Sequence, residues 1–158
     1  MSERLELAKI ALLVCVRTGL PLAWRIETAK RNESLFVAPL LDACRARGLQ
    51  PTTAAMDKGY DNERVHAESR ERGCVAVVPI RKGRKPQPRV IPNGTDEWFA
   101  IYRGRGAVER EFGRLKHEYG FAPLRVRGLA RARLHADLTM LARLAQALGR
   151  ARAVPLAA

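Results

Sequence analysis

The sequence predicts an α/β fold in which strands and helices alternate before a helical C-terminal third. Three observations lead to this class. Short runs rich in apolar and β-branched residues have the length of strands. Longer segments carry apolar residues at helical spacing between a capping residue and a glycine. The segments follow one another as strand, strand, helix, strand, helix, strand and then helices, an order typical of a sheet with crossover helices.

The first two predicted strands form a hairpin. Residues Ala8–Arg17 are mostly apolar and rich in β-branched side chains, and Thr18-Gly19 marks a turn after them. Residues Pro21–Thr28 then alternate apolar and polar side chains, which is the period of a half-buried strand.

The next segments predict a helix, a strand, a second helix and a further strand. Asn32-Glu33-Ser34 supplies capping side chains before an apolar helical face, and Gly48 ends that helix. Gln50–Met56 is predicted as a strand, Asn62–Arg72 as a helix and Cys74–Ile80 as an apolar strand.

The rest of the chain is predicted as a loop followed by helices. Residues 81–95 are basic and rich in Pro and Gly, which indicates a loop. Residues 96–151 have a helical pattern broken near Gly120–Pro123 and Gly128. Residues 1–151 are therefore predicted to be one domain and residues 152–158 a C-terminal tail. The last helix has a leucine face that we expect to pack on the core, with a protein partner as the alternative: Leu134, Leu138, Leu141, Leu144 and Leu148.

The charge distribution indicates a polyanionic partner. The 158 residues carry a net charge of +13, with 12 Lys and Arg against 10 Asp and Glu in residues 1–80 but 17 against 6 in residues 81–158. Nucleic acid is the usual partner of so basic a half-chain, and a solvated arginine-rich surface is the alternative. No apolar run approaches the roughly 20 residues of a membrane span. Three scattered cysteines argue against disulfides or a zinc ribbon, so we expect a cytoplasmic protein.

Asp57 is the first candidate for chemistry. It directly follows the predicted strand Gln50–Met56 and precedes Gly59. Active sites of α/β sheets lie at the carboxyl ends of strands, so a carboxylate here suits catalysis. The alternative is a turn or helix cap, which is a common role of Asp-x-Gly sequences.

The second candidate is the helical segment Tyr102–Lys116. At 100° per residue with Arg105 at zero, Tyr102 falls at about 60°, Glu109 at about 40° and Lys116 at about 20°, beside an apolar face. A carboxylate flanked by two cations and a phenol suits metal-assisted phosphate chemistry. The alternative is a solvated helix face on which Arg105 and Glu109 form a pair worth a few tenths of a kcal/mol.

Both candidates resemble motifs of a known family. The pattern Y-x2-R-x3-E-x6-K, characteristic of the DDE transposases of bacterial insertion sequences, is met by Tyr102, Arg105, Glu109 and Lys116. The segment Asp57-Lys58-Gly59-Tyr60-Asp61 is similar to the one that carries the second catalytic Asp of these enzymes. The likeness extends over nearly the whole chain.

The resemblance implies an RNase H-like α/β fold, a mixed sheet with flanking helices, and an enzyme that cleaves and transfers DNA strands at insertion-sequence ends. The acids of such enzymes bind divalent metal ions, usually Mg²⁺, so Asp57 and Glu109 would be catalytic residues and metal ligands. Tyr102, Arg105 and Lys116 would hold DNA phosphates.

The basic segments would add phosphate contacts to this site. By the same resemblance, the loop 81–89 and the Arg-rich segment 125–133 would contact DNA without regard to its sequence. The partners implied are the insertion-sequence ends and the target DNA, with no membrane.

The sequence departs from the family pattern in one respect. Family members carry a first catalytic Asp on the first strand of the sheet, whereas the only Asp before Asp57 is Asp42, within a helical stretch. The chain is therefore expected to be the C-terminal part of a catalytic domain, without the first catalytic Asp, and inactive by itself. Two interpretations remain: an enzyme, as a homodimer or complemented by an N-terminal transposase fragment, and a catalytically dead DNA-binding remnant.

The same departure has a structural consequence. In the RNase H-like sheet the first strand is central, and without it the strands Ala8–Arg17 and Gln50–Met56 lose a shared partner and expose backbone hydrogen-bonding groups. We expect a sheet that lacks this central strand and is split, rearranged or closed by direct pairing of those two strands.

Overall fold

The structure is a computed structural model that describes residues 8–85, 87–122 and 126–153. Arg125 and most of the predicted tail lie outside these ranges. The described part of the chain contains four strands and five α-helices: β1 (Ala8–Val14), β2 (Pro21–Thr28), α1 (Val37–Ala46), β3 (Thr53–Ala55), α2 (Glu63–Glu71), β4 (Val75–Val77), α3 (Asp96–Tyr102), α4 (Gly106–Glu118) and α5 (Leu129–Ala153). Short 3-10 turns cover Glu33–Phe36, Lys58–Tyr60 and Arg103–Arg105. The predicted α/β class is confirmed.

The hairpin β1–β2 forms where the sequence predicts it. The strand β2 has the predicted bounds, but β1 ends at Val14 rather than Arg17. The chain turns earlier because the Cys15 amide donates to the Leu20 carbonyl at 2.9 Å and the Gly19 amide donates to the Cys15 carbonyl at 2.8 Å. Gly19 has φ 67°, a left-handed conformation that glycine adopts without strain.

The predicted helix boundaries are confirmed by their capping contacts. Asn32 accepts a hydrogen bond from the Ser34 amide at 3.0 Å and begins the turn that leads into α1. Asn62 accepts one from the Val65 amide at 2.9 Å and begins α2. Since each bond satisfies an amide that has no partner within its own turn or helix, Asn32 fixes where the 3-10 turn begins and Asn62 fixes where α2 begins.

The strands form two separate sheets. In one, β1 and β2 are antiparallel, from the pair Ala8–Thr28 to the pair Val14–Pro21. In the other, β3 and β4 are parallel, and Thr53 is opposite Val75. Among the described residues β1 and β3 are not hydrogen-bonded to each other. The prediction of a split sheet is confirmed, and closure by direct pairing of these strands is wrong.

Helices cover both faces of the two sheets and divide the core into clusters. On one face of the hairpin, Ala11 and Ala23 pack against Phe36, Leu40 and Cys44 of the α1 region. On the other face, Ile26 packs with residues of α4 and α5: Leu115, Ala132, Ala136 and Met140. The β3–β4 pair packs on α1 and α2 through a third cluster: Val37, Leu41, Ala54, Val65, Cys74, Ala76 and Val78.

The leucine face of α5 does not pack on the core. The helix contacts the hairpin through its small residues and Met140, while Leu134, Leu138 and Leu141 on the opposite side are 59%, 57% and 64% exposed. The expectation of core packing is therefore wrong for these leucines. None of the described helices is long and apolar enough to cross a membrane.

A buried ion pair joins α4 to α5. Arg143 Nε lies 2.7 Å from Glu111 Oε1, and the two side chains are only 6% and 1% exposed. Arg114, on the same helix as Glu111, lies 2.8 Å from the second carboxylate oxygen. Because a buried charge without its partner is strongly destabilising, the pair constrains how the two helices can pack.

Removing one member of this pair is predicted to destabilise the fold. Glu111→Leu leaves the Arg143 guanidinium buried beside an apolar side chain, and we expect the free energy of unfolding in urea to fall by about 3–5 kcal/mol. The double variant Glu111→Leu/Arg143→Leu should recover part of this loss.

The control is Arg64→Gln, which breaks the exposed Arg64–Glu68 pair and should change the unfolding free energy by less than about 1 kcal/mol. A Glu111→Leu variant no less stable than this control would contradict the assignment.

Candidate active site

Asp57 lies just beyond the carboxyl end of β3. The Met56 amide still donates to the Val77 carbonyl at 3.0 Å, and the chain then leaves the sheet at Asp57, whose side chain is 61% exposed. Asp57 begins the turn Lys58–Tyr60, but its carboxylate makes no capping hydrogen bond there. The interpretation of Asp57 as a turn cap is therefore wrong, and its carboxylate is available to another partner.

That partner is Arg105, which also binds the second predicted acid. One guanidinium nitrogen of Arg105 lies 2.8 Å from Asp57 Oδ1, and the other lies 2.7 Å from Glu109 Oε1. Glu109 stands in the first turn of α4, one turn after Arg105. The predicted i,i+4 pair is thus present, but it is half of a bridge that brings two acids from distant parts of the chain to the same cation.

Tyr102 supports this bridge from the end of α3. Its ring stacks on Trp98 with centroids 4.6 Å apart and planes 19° from parallel. The Arg105 guanidinium carbon lies 5.9 Å from the Tyr102 ring centroid, a distance at which the aromatic face attracts a cation. Trp98 itself is buried, so its stacking contact fixes the position of the Tyr102 ring.

Lys116 stands apart from the bridge. It is exposed on α4, two turns beyond Glu109 on the same side and so about 10 Å farther along the helix axis. The structure therefore brings Asp57, Tyr102, Arg105 and Glu109 together, and it places Lys116 farther along the same helix surface rather than in contact with them.

The site also contains groups that the sequence patterns did not select. Tyr60 and Glu33 line the same cavity as Asp57 and Arg105. Burial, together with the negative charges of Glu33 and Asp57, raises the pKa of the Tyr60 phenol to about 12. Tyr60 lies in the Asp57–Asp61 segment that resembles the family motif, and this resemblance is the sequence feature that could have identified it as a site residue. Glu33 was assigned only to helix capping, and its carboxylate is 2.9 Å from Lys9.

The two acids stabilise the charged form of Arg105. Burial lowers the pKa of the guanidinium, but the charges of Asp57 and Glu109 act in the opposite direction and raise the pKa above its ordinary value. Arg105 is therefore a permanent cation between two exposed carboxylates, and it offsets their mutual repulsion.

The bridge lies at the mouth of a cleft between the two sheets. The cleft, a cavity of about 290 Å³, is lined by β1 and β3, with α1 forming one wall and the start of α4 the other. Asp57 and Arg105 are among its lining residues. We call this cavity the cleft below.

Asp61, just before α2, binds the basic loop that follows β4. The Arg81 amide donates to the Asp61 carboxylate at 2.9 Å, and Arg84 and Arg89 lie 3.7 and 3.6 Å from the same carboxylate. Asp61 is 4% exposed, so a buried carboxylate offsets part of the positive charge of Arg84 and Arg89. Lys82 and Lys85 of the loop remain exposed.

The acid pair offers two ligands to a metal ion. Carboxylate oxygens are the ligands that Mg²⁺ prefers, and Asp57 and Glu109 already converge on one cation. No cluster of three or more His, Cys, Asp or Glu that could hold a metal is found within the described ranges. The pair therefore fits part of a metal site rather than a complete one.

The fold and the site thus define an α/β protein with two acids that share one arginine beside a cleft. A family model described as "Transposase DDE domain" matches residues 3–145. The chain therefore belongs to the DDE transposase domain family, and the resemblance to the insertion-sequence transposases is confirmed.

A curated relative supports the same assignment. The chain is 31% identical over 130 residues to a protein of Burkholderia cepacia described as a transposase for insertion sequence element IS402. The match covers 78% of this chain and 54% of the relative, so the chain spans about half the length of the relative it matches. No solved structure matches the chain.

The environment of Tyr60 predicts a pH dependence. A phenol with a folded-state pKa of about 12 stays protonated where the unfolded chain, with an ordinary pKa of about 10, is ionised. Stability contributed by Tyr60 is thus present below about pH 10 and is lost between about pH 10 and 12. The difference in 295 nm absorbance between the wild type and Tyr60→Phe should titrate near pH 12.

The control is the same pair of proteins in guanidinium chloride, for which the difference should titrate near about pH 10. A folded-state difference centred at that lower pH would show that Tyr60 is not shielded beside Glu33 and Asp57.

Proposed function

We propose that this chain is part of a transposase that cleaves DNA strands and transfers them at insertion-sequence ends, with Asp57 and Glu109 as catalytic ligands of Mg²⁺. The observation that carries the proposal is the bridge, because Arg105 contacts one oxygen of each acid at 2.8 and 2.7 Å. Both carboxylates are thus directed at one position that holds a positive charge, and this supports their assignment to one metal ion.

The chemistry assigned to the chain follows from what each side chain can do. When bound, Mg²⁺ supplies Lewis-acid activation of the scissile phosphate and of the attacking oxygen. Asp57 and Glu109 would hold the ion through hard oxygen ligands. Their exposure, 61% for each side chain, leaves room for a DNA strand to approach.

The cations beside the acids are assigned to the phosphates of that strand. Arg105 has a planar guanidinium suited to paired contacts with a phosphate, and it is positioned by Tyr102 within 5.9 Å. Release of Asp57 and Glu109 to the metal would free this guanidinium for the DNA. Lys116, about two turns from Glu109 on α4, would hold a phosphate farther along the DNA.

Further phosphate contacts are assigned to exposed basic residues outside the site. Lys82 and Lys85 of the loop and Arg127 and Arg131 near the start of α5 are exposed. Contacts from such residues to phosphates are independent of DNA sequence and weaken with salt. They supply affinity for the element ends and the target, while the acids supply the chemistry.

A catalytically dead DNA-binding remnant is the second candidate. It is favoured by the incomplete metal set, since Asp42 is bound to Arg72 at 2.8 and 3.0 Å on the surface shared by α1 and α2. No third carboxylate of the described residues joins Asp57 and Glu109. We therefore propose that the chain by itself is inactive, and that activity requires a further acid from a homodimer partner or a complementing transposase fragment.

DNA binding by the chain is predicted to be electrostatic and to depend on the assigned cations. Arg105→Gln and Lys116→Gln should each weaken binding of a 30-base-pair duplex several-fold and reduce the slope of log affinity against log salt by about 1. Fluorescence anisotropy measures both quantities. Arg64→Gln, which changes an exposed arginine on α2, is the matched control and should have little effect.

A strand-transfer assay tests the proposed inactivity of the chain by itself. With Mg²⁺ and the element ends, the chain alone should form no more strand-transfer product than Glu109→Gln does, because one catalytic acid is missing. Glu118→Gln, which changes an exposed carboxylate at the end of α4, is the control.

Activity of the chain that Glu109→Gln abolishes and Glu118→Gln preserves would support the enzyme and overturn its inactivity alone. Activity that survives Asp57→Asn and Glu109→Gln would overturn the assignment of the acids.

A further inference from the structure

We propose that Gly104 is a positioning residue of the site, and that its contact with Val16 in the turn between β1 and β2 determines where Arg105 meets its two acids. The consequence for DNA rests on the proposed function, whereas the positioning of the guanidinium does not. The hairpin turn thereby becomes a third structural element of the site, beside the carboxyl end of β3 and the start of α4.

Gly104 lies between two residues of the site. It is the middle residue of the 3-10 turn Arg103–Arg105, which directly follows Tyr102. Gly104 and Arg105 both line the cleft, and so does Val16 from the hairpin turn. A shift of the 3-10 turn therefore moves the backbone from which the Arg105 guanidinium reaches its two acids at 2.8 and 2.7 Å.

The available space, rather than the backbone conformation, requires glycine at this position. Gly104 does not have a positive φ, so an alanine could adopt the same backbone. A Cβ atom at Gly104, however, would lie 2.9 and 3.1 Å from the two methyl carbons of Val16. Carbon atoms in favourable contact are about 3.5–4.0 Å apart. The Gly104 backbone thus approaches Val16 more closely than any other residue would allow.

Rotation of the Val16 side chain does not relieve this contact. A valine side chain has three staggered positions about its Cα–Cβ bond. Two of them face Gly104, because both methyl carbons lie within 3.1 Å of the place that a Cβ atom would take. Every rotamer therefore leaves at least one of the two methyls there. An alanine at Gly104 must separate the hairpin turn from the 3-10 turn.

Neighbouring contacts limit where that separation can occur. Before the 3-10 turn, Tyr102 is held by its stacked ring. After it, Ala107 is only 3% exposed. On the other side of the contact, Val16 follows Cys15, whose amide and carbonyl both form hydrogen bonds within the hairpin turn. We therefore expect the displacement to fall on the short turn that carries Arg105.

The test measures rotation of the Arg105 guanidinium by NMR in the full chain, without DNA or metal. Since two carboxylates hold its two terminal nitrogens, we expect two separate Nη signals in the wild type. Gly104→Ala should increase the exchange rate between these signals at least about tenfold. Gly113→Ala is the matched control, because a Cβ at Gly113 on α4 has nothing within 4 Å. Its exchange rate should stay within about twofold of the wild type.

A second variant changes the other side of the contact. Val16→Ala removes both methyls and leaves the Val16 Cβ at 3.6 Å from a Cβ at Gly104, an ordinary contact distance. Combined with Gly104→Ala, it should therefore return the exchange rate to within about threefold of the wild type. Val16→Ala alone changes a residue that is 60% exposed, so the chain should stay folded. Loss of the contact should then raise the rate about threefold.

Duplex binding connects the positioning to the proposed function. Gly104→Ala should weaken binding of the 30-base-pair duplex by about as much as Arg105→Gln does, and addition of Val16→Ala should restore the affinity. If the exchange rates follow the prediction but neither Gly104→Ala nor Arg105→Gln changes duplex affinity, the positioning is upheld and the assigned role of Arg105 in DNA binding is rejected.

Three results would overturn the proposal. They are a single averaged Nη signal in the wild type, a Gly104→Ala exchange rate no higher than that of Gly113→Ala, and a double variant that exchanges as fast as Gly104→Ala. Circular dichroism establishes which variants fold. If Gly104→Ala does not fold, Val16→Ala alone decides: an increased exchange rate supports the positioning, and an unchanged rate overturns it.

Discussion

The arrangement of the site depends on the bridge from Arg105 to Asp57 and Glu109. Asp57 belongs to the part of the core built by β3, β4, α1 and α2, whereas Glu109 stands on α4, which packs on the hairpin together with α5. The guanidinium therefore links two halves of the molecule across the mouth of the cleft at 2.8 and 2.7 Å. Without a cation there, two exposed carboxylates would repel each other. The position that Arg105 occupies is thus one that attracts positive charge.

Arg105 lies beside the cavity that separates the two sheets. Two short sheets border a common cavity of about 290 Å³, which is lined by β1 and β3. Most of its lining side chains are apolar, while Asp57 and Arg105 lie at its opening and Arg105 contacts Glu109.

Local features of the fold could be predicted from the sequence, and long-range ones could not. The bounds of β2 and the caps at Asn32 and Asn62 follow from patterns of neighbouring residues. The motif spacing selected Asp57, Arg105 and Glu109 as candidates, yet the ion pair between Arg105 and Asp57 joins residues that no helical or strand period relates. The α5 leucines were assigned to the core because periodicity shows that a face is apolar, not which of two opposite faces is covered. Ala132, Ala136 and Met140 allow the closer approach to the hairpin, so the leucines lie outside.

The central claim is that Asp57 and Glu109 can exchange their shared guanidinium for a shared metal ion. The most direct measurement is paramagnetic broadening of amide NMR signals by Mn²⁺, which detects weak binding and reports its position. We expect the amides around Asp57 and Glu109 to broaden together at the lowest Mn²⁺ concentrations and Mg²⁺ to compete. Asp57→Asn should remove the broadening at both positions. Broadening centred on Asp61 and Glu63, or broadening near Glu109 that survives Asp57→Asn, would show that the two acids do not form one site.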